Sequence, residues 1–242
     1  MPHGYADYGG RGPKSIVHSL FDLGELAVRI SGVNSVDRLG DVYFFDEFAS
    51  GLGNWLCVTS GTGGAYALSG AIFKSKGWSL KLTTGSTASR DAYAVTVQPY
   101  TYPSKMGLEL NISMDANSAG FSLYVTYYNG VNSYYLEMNL QKNTGVFGLY
   151  NELGAWQQIA SGLVFTNNTR HFLNLKVVID MSTQKYDRLI LDGVNYDLTA
   201  YGMQVFTSAT ARKISFMIDT GSIGVSNGIS YLDSVILTQN EP

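Results

Sequence analysis

The stretch FSLYVTYYNGVNSYYLEMNL, residues 121–140, decides the fold. Side chains on a strand alternate between two faces, and Asn-Gly between two alternating runs is a strong hairpin signal. Folded about Asn129-Gly130, the stretch places Phe121, Leu123, Val125 and Tyr127 on one face, opposite Tyr134, Leu136, Met138 and Leu140 of the returning strand. That face is core. The other face carries Tyr124, Thr126 and Tyr128 beside Tyr135, Glu137 and Asn139, aromatic and polar together. Such a surface suits either a sugar platform or a subunit interface.

The same punctuation runs through the rest of the chain. From Asp41 to Pro242 short runs such as DVYFF, WSLKLTT, AYAVTVQPY, MGLELNISM, HFLNLKVVID, KISFMID and ISYLDSVILT are separated by Gly- and Asn-rich turns. About a dozen strands of this kind predict a two-sheet antiparallel sandwich. HFLNLKVVID alternates Phe172, Asn174 and Lys176 against Leu173, Leu175, Val177 and Ile179. Ahead of it, residues 1–14 are rich in Gly with two Pro and read as an extended arm. Residues 15–40 begin with Ile16, Leu20, Leu23, Ala27 and Ile30 at spacings of 4, 3, 4 and 3, the spacing of a short helical seam. The expectation is therefore an all-β protein, a jelly-roll sandwich over 41–242 preceded by a short N-terminal helix and an arm.

Composition narrows the function classes. Lys and Arg total 16 against 19 Asp and Glu, a formal charge of −3, with no basic run. Electrostatic capture of nucleic acid or of an anionic membrane is not expected. No stretch is apolar for the length of a membrane span. Cys57 is the single cysteine, which excludes an intramolecular disulfide and a thiolate metal cluster. The N-terminal stretch lacks a basic region followed by an apolar run, so no secretory signal is expected. The charged fraction of 14% with 17 Tyr and 27 Gly fits lectin-like surfaces and subunits that bury much of their exterior.

Catalytic constellations are sought without success. GVSNG, residues 224–228, matches a nucleophile elbow by letter, but no histidine follows Ser226; the three histidines are His3, His18 and His171. SGTGG, residues 60–64, lacks the lysine and following helix of a phosphate cradle. Both read as loops. Glycoside hydrolysis needs two carboxylates across one cleft. Glu109 and Glu137 are the strand-borne candidates, each isolated in sequence. No enzyme is expected. Trp55, Trp78 and Trp156 read as core or rim anchors rather than ligand platforms.

Three stretches carry a resemblance: FFDEFASGLGNW (44–55) with GWSLKL (77–82), HFLNLKVVIDMSTQKYDRLILDGVNYDL (171–198) and ISYLDSVIL (229–237). They are similar to the concanavalin A-like and laminin-G-like jelly rolls and related sandwich carbohydrate-binding modules. Many such modules hold a structural calcium between an acidic residue of an F-E-x-G opening strand and one of a paired Asp in the last strand. Here Ala49 and Ser234 stand at those places, so no cofactor is expected. Glu47 and Asp233 are the ligands that would remain for a calcium.

The arm, short helix and jelly roll together also resemble capsid-decorating or tail-associated virion proteins of tailed bacteriophages. That resemblance implies a non-enzymatic structural protein of the virion, assembled in the host cytoplasm. It would form a homo-oligomer, with a trimer favoured, pack Ile16, Leu20, Leu23, Ala27 and Ile30 near the axis, and touch other virion proteins. The alternative is a carbohydrate-binding module that uses Tyr124, Tyr128, Tyr135, Glu137 and Asn139.

Overall fold

The computed structural model describes residues 40–242 apart from 75–76, 87–90, 100–103 and 225. The expected arm and helix, with Ile16, Leu20, Leu23, Ala27 and Ile30, lie outside the described residues. Sixteen strands follow in chain order: β1 (Asp41–Asp46), β2 (Leu56–Thr59), β3 (Ala65–Ser69), β4 (Ser79–Thr83), β5 (Asp91–Pro99), β6 (Lys105–Met114), β7 (Ser118–Tyr128) and β8 (Asn132–Gln141). The rest are β9 (Val146–Tyr150), β10 (Trp156–Ala160), β11 (Leu173–Asp180), β12 (Lys185–Leu191), β13 (Val194–Asp197), β14 (Gln204–Thr207), β15 (Lys213–Ser222) and β16 (Ile229–Gln239). No described residue is helical.

They form two eight-stranded antiparallel sheets. The first runs β13-β12-β11-β6-β16-β4-β3, with β1 also on β16. The second runs β10-β9-β8-β7-β15-β5-β2, with β14 also on β8. The architecture is the two-sheet sandwich that the alternation predicts. The core is the pair of inner faces: Leu108, Leu110, Leu175 and Val177 from the first sheet meet Leu123, Val125, Leu136 and Ile218 from the second, all buried.

The quoted hairpin has the expected register, with Phe121 opposite Leu140, Leu123 opposite Met138, Val125 opposite Leu136 and Tyr127 opposite Tyr134. Asn129 builds its turn. The Asn129 side-chain oxygen accepts from the Val131 and Asn132 amides at 2.9 and 2.7 Å, and Gly130 takes a positive φ. Two of the tyrosines are core residues. Tyr127 and Tyr134 stack inside at 5.5 Å, and the Tyr134 hydroxyl accepts from Asn129 Nδ2 and Gln184 Nε2.

The opening motif is organised by Asp46. Its carboxylate accepts from the Phe48 amide, Asn54 Nδ2 and Trp55 Nε1 at 2.7, 3.2 and 3.0 Å, which seats Phe48 and Trp55 in the core. Trp55 is thus a core anchor, while Trp78 is exposed. The two glycine motifs are loops packed on each other: Asn227 Nδ2 donates to the Thr62 and Thr84 carbonyls, and Asn227 lies against Gly63.

The outer face of the first sheet is closed by charge. Lys176 lies on the outer face, opposite in alternation to the core residues of β11, but is fully buried, with Nζ 3.1 Å from Glu109 and 2.8 Å from Glu241. Arg188 reaches the other Glu241 oxygen at 3.1 Å, and Asp187 links Arg188 to Lys105. Gly107 has no side chain where the Glu241 carboxylate and Thr238 hydroxyl sit. The segment after β16 therefore folds back over the sheet and seals Lys176 beneath it. Removing Glu241 leaves Lys176 with Glu109 and Arg188 with Asp187, so it takes one charged partner from each rather than all of them, a loss on the order of 1–3 kcal/mol. Glu241→Ala is accordingly expected to lower the unfolding free energy by that amount, seen as a lower urea midpoint at unchanged slope. A loss below about 0.5 kcal/mol, the ordinary effect of a surface substitution, would show that the latch is not part of the cooperative fold.

Candidate functional site

The second sheet is open where the first is closed. Its outward positions follow from the register. Across the middle of the sheet, Val95, Met217, Tyr124, Glu137, Tyr150 and Trp156 occupy one row from β5 to β10. Tyr93, Asp219, Ser122, Asn139 and Gly148 form the next row. Tyr124 and Tyr135 stack at 5.9 Å, and Phe206 of β14 meets Tyr135 edge-on at 6.5 Å. On the far side of Glu137, Tyr150 and Trp156 meet edge-on at 5.4 Å.

Glu137 is therefore a carboxylate in an aromatic row. The Tyr135 hydroxyl donates to it at 3.2 Å. Burial among the rings pushes the Glu137 carboxyl above its ordinary pKa, and hydrogen bonds from Tyr135 and Tyr124 only partly offset this. Burial also raises the Tyr135 hydroxyl, with the Glu137 charge adding to it. From below, the Tyr186 hydroxyl of the first sheet accepts from the Glu137 amide at 3.2 Å and donates to the Tyr150 carbonyl at 2.9 Å. One phenol thus spans the core and pins β8 and β9 directly under the site.

Beside this row lies an open pocket of about 410 Å³ whose lining includes Gly120, Ser122, Tyr124, Asn139, Gln141 and Asp219. Asn139 Nδ2 donates to Ser122 Oγ at 2.7 Å, which ties two lining residues together. Gly120 has φ +144°, and a Cβ there would meet the Leu140 carbonyl at 1.8 Å, so the strand approaches this closely only with glycine. A pocket of this size with a few convergent polar groups beside aromatic rings is the usual form of a small-ligand site.

The structure brings Tyr124, Tyr135, Glu137 and Asn139 together. Tyr128 is not with them; it lies at the hairpin end, where Lys213 Nζ sits 5.3 Å from its ring centre. Trp156, read as a core or rim anchor, is half-buried at the end of the aromatic row. Gly148 is the reason: a Cβ there would meet Trp156 Cζ2 at 2.5 Å, so the indole lies down on the sheet over a position with no side chain. Phe206 was missed because VFT after Met203 is too short to read as a strand. Glu109 and Glu137 do not share a groove, since Glu109 belongs to the outer face of the first sheet and Glu137 to that of the second.

Of the two remaining calcium candidates, Glu47 follows β1, whose Asp46 pairs with Val235, and Asp233 precedes the register shift of β16. Asp233 is engaged there by the Lys74 amide at 2.6 Å and by Ser234 Oγ at 2.9 Å. The Lys74 ammonium stands beside it, bonded to Asn111 and Asn174. Among the described residues no three His, Cys, Asp or Glu side chains cluster for a metal.

No family model and no curated protein matches the chain. Solved structures match its fold. An endo-β-1,4-glucuronan lyase from the fungus Trichoderma reesei is 9% identical, with TM-score 0.55 over 82% of this chain and 95% of the other. Cellulose induced protein Cip1 is 11% identical, with TM-score 0.54 over 81% and 97%. A carbohydrate-binding module protein of the β-sandwich superfamily is 11% identical, with TM-score 0.46 over 84% and 64%. The chain shares the two-sheet jelly-roll sandwich fold with the lyase and the cellulose-induced protein, and a fold does not by itself assign a function.

The raised Glu137 carboxyl has a consequence for stability. A carboxyl favoured in its protonated form contributes stability below the ordinary glutamate range, about 4.3, and that contribution is lost as pH rises through the folded value. Glu137→Gln has no charge to bury. It is expected to melt above the wild type at pH 7 and level with it at pH 4. A variant that is less stable at pH 7 than at pH 4, relative to the wild type, would contradict this placement of Glu137.

Proposed function

We propose that the chain is a non-hydrolytic carbohydrate-binding module whose site is the outer face of the second sheet. The observation that carries this reading is the aromatic row Tyr124, Tyr135, Tyr150 and Trp156 with Glu137 inside it and the Asn139 pocket alongside. Aromatic faces cover the apolar C–H faces of sugar rings, while Glu137, Asn139 and Ser122 present acceptors and donors to hydroxyls. Tyr135 and Trp156 stand on strands two spacings apart, about 10 Å, so they suit successive sugars of one extended chain better than a single monosaccharide. The fold supports the reading, because the lyase and the cellulose-induced protein that share it are named for polysaccharides. Binding without cleavage is favoured because Glu109 is tied to Lys176 on the opposite side of the sandwich, and Asp219, another carboxylate of this face, stands on β15, two strands away from Glu137.

Assembly is the second reading, favoured by the exposed apolar residues Leu56, Val97 and Phe206 on the same face. There the face would be buried in a homo-oligomer, a trimer in a virion setting. Affinity electrophoresis in gels cast with soluble polysaccharides separates the two. The module reading expects retardation by at least one polymer, no release of reducing ends, and about tenfold weaker binding, close to 1.4 kcal/mol, for Tyr135→Ala or Trp156→Ala. Retardation by none, with a symmetric oligomer by light scattering, gives the face to assembly.

A further inference from the structure

Another cavity, which shares no lining residue with the pocket beside Asn139, opens onto the inner face of the first sheet. Its floor is Ile112 of β6, paired across the ladder with Leu173 of β11, and Leu191 at the end of β12; all three are buried members of the core. Its wall is Leu163 and Phe165, from the connection that leaves β10 in the second sheet and enters β11 in the first. That connection is fixed at both ends. The Leu163 amide donates to the Gly145 carbonyl at 3.0 Å, and Ser113 Oγ donates to the Thr169 carbonyl at 2.5 Å. Two polar side chains, His171 and Asp192, complete the lining. Asp192 is held in place by the Asn174 amide and Asn174 Nδ2, which donate to one of its oxygens at 2.8 and 3.1 Å. At the lips stand two aliphatic residues from separate segments, Val164 at 96% exposed and Val194 at 54%.

We infer that this cavity is a second binding site, for a small neutral ligand the size of one aromatic ring that carries a hydroxyl, of the phenol class. Its volume is about 150 Å³, and an apolar void of that size lined by Leu, Ile and Phe takes up benzene. The ring would lie against Ile112, Leu173, Leu191 and Phe165, and the hydroxyl would meet His171 and Asp192. A carboxylate accepts from such a hydroxyl, and an imidazole can accept or donate. A ligand seated between Val164 and Val194 would also take both from water, a burial that the fold itself does not give them. A hexose is the wrong ligand here, because most of its hydroxyls would face hydrocarbon, and a buried polar group without a partner is costly. The site therefore stands apart from the sugar face in place and in chemistry, and does not depend on that reading.

Methyl carbon–proton spectra of the full chain, recorded while p-cresol, toluene or glucose is added at pH 7, test this. The expected result is saturable shifts of the Ile112, Leu163, Leu173 and Leu191 methyls with both rings and none there with glucose. Cresol should bind about threefold tighter than toluene or more, the effect of one modest hydrogen bond. Val194→Trp, which sets an indole at the mouth, should weaken both rings. His171→Ala combined with Asp192→Asn should remove the preference for cresol and leave toluene unchanged, a split that a merely damaged fold would not produce. Asn suits the positive φ at 192, so the turn survives the change. No saturable shift with either ring overturns the inference, as does glucose moving the same methyls. Equal affinity for cresol and toluene in the wild type also overturns it, because His171 and Asp192 would then recognise nothing.

Discussion

Everything in this molecule depends on the two-residue alternation of the β7–β8 hairpin and on the register that holds it. A slip of one residue would exchange the two faces of a strand. In the native register Tyr127 and Tyr134 stack inside the sandwich, and Tyr124 and Tyr135 stack outside it. The same residue type thus serves as core and as surface, separated by a single alternation. Asn129 holds the turn, Tyr186 anchors the strand from the opposite sheet, and neighbouring β15 keeps the hairpin in line along its length.

The two outer faces of the sandwich solve opposite problems. On the first sheet, Glu109, Lys176, Glu241 and Arg188 neutralise one another under the segment that follows β16. Buried ions contribute little net stability, but each is costly to leave alone, so such a network locks its parts into one arrangement. On the second sheet the rings and carboxylates are left uncovered, and a carboxylate is held among aromatics at the expense of its own ionisation. Sites are commonly where a fold accepts such a cost.

The sandwich was legible because its strands alternate cleanly, and so were the hairpin register and the grouping of Tyr135, Glu137 and Asn139. Relations between distant strands were not. Glu109 and Glu137 look alike in sequence, and only sheet membership puts them on opposite sides of the protein. Lys176 reads as the polar alternate of an apolar strand, and Glu241, 65 residues later in the chain, is what covers it. The seat of Trp156 depends on the absent side chain of Gly148 on the neighbouring strand. Tyr128 belongs to the right face but lies four residues along β7 from Tyr124, about 13 Å, and meets Lys213 instead. The opening motif placed weight on Glu47, whereas the hydrogen bonds that organise that turn converge on Asp46.

The central claim is that the outer face of the second sheet is the ligand surface. Backbone amide chemical shifts recorded during titration with a neutral oligosaccharide test it most directly, because they report location as well as binding. The account predicts saturable shifts confined to Ser122, Tyr124, Tyr135, Glu137, Asn139, Gly148 and Trp156, with the strands of the first sheet unmoved. Shifts clustered around Lys74, Asn111 and Asn174, or around Lys176 and Glu241, would contradict it.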